Sequence, residues 1–185
     1  PTGAKEPTPA DAPTAAPPVT SAAAVYYILS LAEASSNLAR YDGIRFGVPV
    51  QRTSTFFDDV TRHRSRHLGA EVQRRLLLGT YAVSSEARRS HYTRALRLRQ
   101  ALREAYDACF RHVDVLVYPT TPGAAPRLAQ PVAELASYVL AVSANLAGLP
   151  AISVPVRRRD PIGVSFAMPW GHDRALLSLL AQLRR

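Results

Sequence analysis

The stretch Val25–Gly47, VYYILSLAEASSNLARYDGIRFG, constrains this chain more than any other. Up to Asn37 nearly every residue is small or apolar whichever side of a helical wheel it occupies, so the segment reads as a helix buried all round. Beyond Asn37 the chemistry changes abruptly. Arg40, Asp42 and Arg45 crowd about Gly43, where a tight turn would leave one carboxylate and two guanidiniums at the mouth of a core helix. A helix of that kind needs a core able to surround it. At 185 residues and 47% hydrophobic content the chain can build one domain or a large part of one.

The remaining elements follow from periodicity and punctuation. Residues 1–20 hold many of the prolines and almost no large apolar side chain, and read as a disordered linker ahead of a folded region over 21–185. Residues 50–67 read as a short amphipathic helix with Phe56, Phe57 and Val60 as its apolar stripe; the basic cluster His63, Arg64, Arg66 and His67 reads as a solvated face. Glu71–Val83 suits a second helix, and Ser84 and Ser85 can cap a long one over 86–110. That long helix sets Tyr92, Leu102, Tyr106 and Cys109 at helical spacing, with Arg88, Arg94, Arg97, Arg99 and Arg103 largely elsewhere. Cys109, the single cysteine, excludes an intrachain disulfide and a Cys-rich metal site and reads as a small core residue.

Val113–Tyr118 is a β-branched run ended by Pro119, as expected of a buried strand. Residues 135–156 carry no charge and are long enough for a membrane span, but Asn145, Gly148, Pro150 and Pro155 interrupt them. They split instead into a helix, a turn and a strand over 151–156. Ile162–Ala167 reads as a strand paired with that one across the charged turn 157–160, and Asp173 as the cap of a last helix over 174–183.

The formal net charge of +9 bears on partners. It suits nucleic acid or another anionic surface. Lys5 is the only lysine, however, so the charge is arginine, a skew that a GC-rich coding sequence also produces. An RNA contact through the arginine-rich faces and a merely solvated basic surface are both compatible with it.

Four blocks resemble a known family. The segment Tyr26–Gly47 is followed in register by LGAEVQRRLLLGTYA over 68–82, VDVLVYPTTP over 113–122 and NLAGLPAISVP over 145–155. They resemble the amidase-signature enzymes, and within them the A subunits of glutamyl-tRNA(Gln) amidotransferases. The resemblance implies an α/β fold, the C-terminal and incomplete portion of the amidase-signature architecture, with a mixed sheet flanked by helices. It implies descent from an amide-hydrolysing subunit that supplies ammonia for Gln-tRNA formation, and hence partner subunits in an amidotransferase-like or larger complex. The setting it implies is the cytoplasm, or an organelle such as a mitochondrion or chloroplast. An alternative is a non-catalytic structural or RNA-facing component derived from an amidase.

Enzymes of this family use a serine nucleophile, a relay serine and a lysine base beside a glycine-rich loop that holds the oxyanion. None of these has a counterpart here. The pairs Ser35-Ser36 and Ser84-Ser85 lack flanking glycines, and Lys5 lies in the linker, so no catalytic residue is assigned and no cofactor or metal is expected. What the resemblance places in this chain is recognition. Tyr26 matches a tyrosine near the amide pocket, and Arg75 an arginine that grips the carboxylate of glutamine through its planar fork. Without the resemblance, Arg75 would read as one half of an ion pair with Asp42 or Glu71. Tyr138 stands where subunits that use glutamine carry an aspartate for the substrate ammonium. The chain begins at Pro1 without a charged and then apolar leader, which points to a piece or a processed form of a longer protein.

Overall fold

A computed structural model describes residues 19–50, 52–124, 139–156 and 162–183. Most of the linker, Tyr138 and the charged turn 157–160 lie outside the described residues. The chain divides into two compact units, one formed by Ala24–Leu96 and the other by Pro1–Ala23 together with Arg97–Arg185.

The first unit is led by helix α1, Val19–Asn37, which starts just inside the expected linker. It is not buried all round. Val25, Leu29, Leu31 and Ala32 are buried, whereas Ala24, Glu33 and Ser36 are exposed and Tyr26 is 37% exposed. Small residues can line an open face at little cost, so a uniformly apolar wheel did not require cover on every side. A single 3₁₀ turn, Leu38–Arg40, ends the helix.

Helix α2 spans Phe56–His67 and helix α3 spans Ala70–Ala82. The apolar stripe expected on α2 is absent from the interior. Phe56 and Phe57 are 58% and 79% exposed, while Asp59 and His63 are buried, so the basic cluster is not wholly a solvated face. The reason is local. Asp59 accepts hydrogen bonds from the N–H and hydroxyl groups of both Thr53 and Ser54 and from the Arg62 guanidinium. A carboxylate so fully partnered can be buried, and it carries the His63 face inward with it.

Helix α3 crosses α1 at close range because Gly79 has no side chain: a Cβ there would overlap the Leu31 carbonyl. Beyond α3 the expected long helix starts with a π-helical turn, Arg88–Tyr92, before regular α4, Thr93–Cys109. The expected cap by Ser84 or Ser85 is not found: Ala87 stands at the N-cap of the π-helical turn with no side-chain cap, and Ser84 Oγ only accepts from the Ala87 N–H at 3.4 Å ahead of it.

The second unit holds a sheet of three described strands, β1 (Leu116–Pro119), β2 (Ala151–Pro155) and β3 (Gly163–Ala167), in the order β1-β3-β2 with antiparallel pairing throughout. The β2–β3 pair appears where the split of the uncharged run and the charged turn placed it. Strand β1 begins later than Val113, because the Arg111 and His112 N–H groups still bond back to Ala108 and Cys109 as the chain unwinds from α4. Nor is β1 buried on both faces. It is an edge strand, with Val117 58% exposed.

Helix α5, Val139–Ala147, packs its buried Val142, Ser143, Leu146 and Ala147 inside. The turn after it uses Gly148 at φ +74°, a conformation that a residue with a Cβ rarely adopts. Helix α6, Asp173–Leu183, puts the Asp173 carboxylate in its first turn, where the helix dipole favours it. Cys109 is buried, as a small core residue would be. Tyr106 Oη donates to Ser143 Oγ at 2.8 Å, and Arg99 Nε donates to the Leu146 carbonyl at 2.9 Å, near the C-terminal end of α5. Among the described residues no helix is long and apolar enough to cross a membrane.

Candidate functional site

Arg75 lies on α3, one turn past Glu71. Spacings of three and four on a helix bring side chains together, and both Arg74 and Arg75 turn back to Glu71. Glu71 Oε1 accepts from Arg74 Nη2 and Arg75 Nε, each at 2.7 Å, and Oε2 accepts from Arg74 Nε at 2.8 Å. The Arg74 hydrogen bonds, then those of Arg75, hold the Glu71 carboxyl down to about 2, and Arg74 is stabilised as a cation in return. Arg74 Nη1 also donates to Tyr27 Oη at 3.0 Å, tying α3 to α1 above the Gly79 crossing.

Of the two partners weighed for Arg75, Glu71 is therefore the one that the structure selects. Asp42 is already spent. Its Oδ1 accepts from the Ile44 and Arg45 N–H groups and its Oδ2 from Arg45 Nε, each at 2.9 Å, which lowers its pKa to about 2. Gly43, at φ +77°, makes the tight turn expected there. Arg40 is not part of this cluster but exposed, and the second guanidinium at the mouth of α1 comes from α2 instead. Arg64 Nη1 donates to the carbonyls of Leu38 and Tyr41 at 2.8 and 2.9 Å, satisfying acceptors that the end of a helix leaves open. Nothing in the local sequence marks Arg64 for that role over its arginine neighbours.

Tyr26 sits on α1, exposed beside Tyr27, and Tyr138 lies outside the described residues. The serine pairs behave as structure. Ser35 Oγ donates to the Ala32 carbonyl at 2.8 Å, and Ser84 Oγ accepts from the Ala87 N–H ahead of the π-helical turn. On the sheet, Thr120 Oγ1 bonds Ser153 Oγ at 2.6 Å and Ser165 Oγ at 2.8 Å, linking all three strands through hydroxyls alone. A Cβ at Gly163 would come within 2.5 Å of Ser153 Oγ, so a glycine is needed to admit this cluster. No group of three or more metal-ligating side chains converges among the described residues.

Comparison with known proteins agrees with this architecture. The family profile described as Amidase matches residues 11–177. The A subunit of the glutamyl-tRNA(Gln) amidotransferase of Azotobacter vinelandii is 37% identical over 166 residues, covering 86% of this chain and 34% of that protein. Its counterpart in Deinococcus radiodurans is 43% identical over 176 residues, covering 88% of this chain and 36% of that protein. The chain thus spans about a third of the length of the curated relatives it matches. A crystal structure of an amidase superposes with a TM-score of 0.65 at 22% identity, covering 89% of this chain and 35% of the other, a likeness of fold. The crystal structure of the Thermotoga maritima amidotransferase A subunit gives a TM-score of 0.52 at 25% identity over 85% of this chain and 30% of that one. The exposed faces and the antiparallel sheet are thus part of a larger known architecture, and the chain belongs to the amidase family.

Proposed function

We propose that these residues form the C-terminal, recognition-bearing part of an amidotransferase-type protein, without amidase activity on their own. One observation carries the reading: the only lysine is Lys5, and neither serine pair of the folded region has a lysine near it in sequence or a flanking glycine, while Ser35 and Ser84 are engaged in local backbone hydrogen bonds. With neither base nor activated nucleophile, rate accelerations of enzymatic size have no source. Amide hydrolysis, and any transfer of ammonia to glutamyl-tRNA(Gln), would then require catalytic groups from outside these 185 residues, in partner subunits or further chain. The compartment consistent with this reading is the cytoplasm, or an organelle in a eukaryote.

The glutamine pocket itself has lapsed in this reading. Glu71 holds Arg75 at 2.7 Å, and Tyr138 offers a phenol where an ammonium needs a carboxylate. Purified protein should release no ammonia from glutamine, asparagine or simple amides. Turnover abolished by a substitution within this chain would overturn the proposal. Calorimetric titration with glutamine should show no binding by wild type and gained binding in Tyr138→Asp. Wild-type binding that disappears in Arg75→Ala would show instead that the pocket is in use.

A second reading, an RNA-facing component, is favoured by the exposure of Arg94, Arg97 and Arg103 along α4. It requires affinity for tRNA that falls steeply with salt, about one unit of log-log slope for each phosphate neutralised.

A further inference from the structure

We propose that the groove between α2 and the segment Val48–Val50 is a binding site for a small phosphate-bearing ligand. The groove encloses about 250 Å³ and is lined chiefly by Val48, Val50, His63, Arg66 and His67, with the Asp59–Arg62 pair at one wall. At about 30 Å³ per water, that space holds about eight waters, enough for a phosphate group with part of its hydration.

The charges decide the sign of the ligand. Asp59 and Arg62 neutralise each other across 3.0 Å, and Arg62 donates further to Thr53 Oγ1 and Ser54 Oγ at 2.6 and 3.1 Å. On the neighbouring segment Asp42 and Arg45 likewise pair at 2.9 Å and add no net charge. Arg66, facing the groove, has no hydrogen bond or ion pair among the described residues. His63 and His67 stand one helical turn apart, their ring centroids separated by 4.6 Å. The groove therefore presents one uncommitted guanidinium, whose fixed charge favours an anion, and two imidazoles whose ring N–H groups can donate to phosphate oxygens, with no unneutralised acid.

The site is also built rather than incidental. His63 is 8% exposed and its ring lies over Gly43, where a Cβ would come within 2.8 Å of Nε2. Only glycine at this turn leaves room for the imidazole, and the Gly43 carbonyl accepts from Val50 N–H at 2.9 Å to hold the opposite wall. One factor opposes an anion. His67 ends α2, and the negative end of the helix dipole points toward that turn, so Arg66 must supply the main attraction.

The test is titration of the full chain with inorganic phosphate and with glycerol 3-phosphate, followed by NMR. Saturable shifts confined to the His63 and His67 imidazoles and the Val48 and Val50 amides are expected. Arg66→Gln should weaken binding by about ten-fold or more, the loss of one charge-assisted hydrogen bond, while Arg66→Lys should keep part of the affinity as a point charge. Arg66 is exposed, so its variants should melt with wild type, which separates lost binding from lost fold. Arg94→Gln on α4 should change nothing. Equal affinity in wild type and Arg66→Gln, shifts spread over all basic surfaces, or binding of a single-stranded oligonucleotide without binding of phosphate would each overturn the proposal.

Discussion

Replacing Gly79 by alanine should destabilise the protein although alanine is the better helix former. Within a helix the exchange gains about 1 kcal/mol from propensity alone. Here the new methyl would lie 2.5 Å from the Leu31 carbonyl carbon and 3.1 Å from Ser35 Cβ, whereas ordinary contact begins near 3.4 Å. Helices α1 and α3 would have to separate by at least about 0.9 Å, the difference between 3.4 and 2.5 Å, because the Leu31 carbonyl oxygen lies nearer still and a backbone obstruction cannot rotate away. A gap of that size forfeits about a quarter to a half of the dispersion well for each pair of atoms it parts. Overpacking against a fixed wall costs about 3 to 4 kcal/mol at the upper end of such substitutions, leaving a net loss of about 2 to 3 kcal/mol. In a chain of this size that is a fall of about 4 to 12 °C in the thermal midpoint. In urea, with a slope of about 2 kcal/mol/M, it is a fall of about 1 to 1.5 M. Calorimetry and urea unfolding of Gly79→Ala give the comparison. Gly69→Ala serves as the control, since a Cβ there meets nothing within 4 Å. A Gly79→Ala protein as stable as wild type, or more stable, would refute the close crossing of α1 and α3.

Acid should weaken the fold through two carboxylates. Asp42 and Glu71 both fall to about 2 in the folded chain from ordinary values of 3.8 and 4.5. Their contribution is therefore complete above about pH 4.5 and lost as pH drops toward 2, and Asp42→Asn with Glu71→Gln should flatten the urea midpoint across that window. An unchanged slope in the double variant would count against both hydrogen-bonded clusters. Tyr106→Phe removes a buried donor to Ser143 and should cost about 1 to 2 kcal/mol, or about 2 to 8 °C in the thermal midpoint, with no change in far-ultraviolet circular dichroism. Loss of helix signal in that variant would mean that the hydroxyl does more than join α4 to α5.

Sequence alone determined what depends on near neighbours. Helical spacing placed α3 and the body of α4, glycine and proline punctuation with the charged turn 157–160 placed β2 and β3, and Gly43 and Gly148 marked turns that only a residue without a Cβ accepts readily. The family, too, was legible, because four motifs in order are a property of the chain and need no coordinates. Tertiary structure decided which of several like groups is used. Arg64 rather than Arg40 serves the end of α1, Glu71 rather than Asp42 takes Arg75, and on α2 an aspartate and a histidine go inside while two phenylalanines stay out. The physical reason is common to all three. Burial of a polar group depends on whether donors and acceptors far along the chain meet it in space, and hydropathy along one segment carries no record of that meeting.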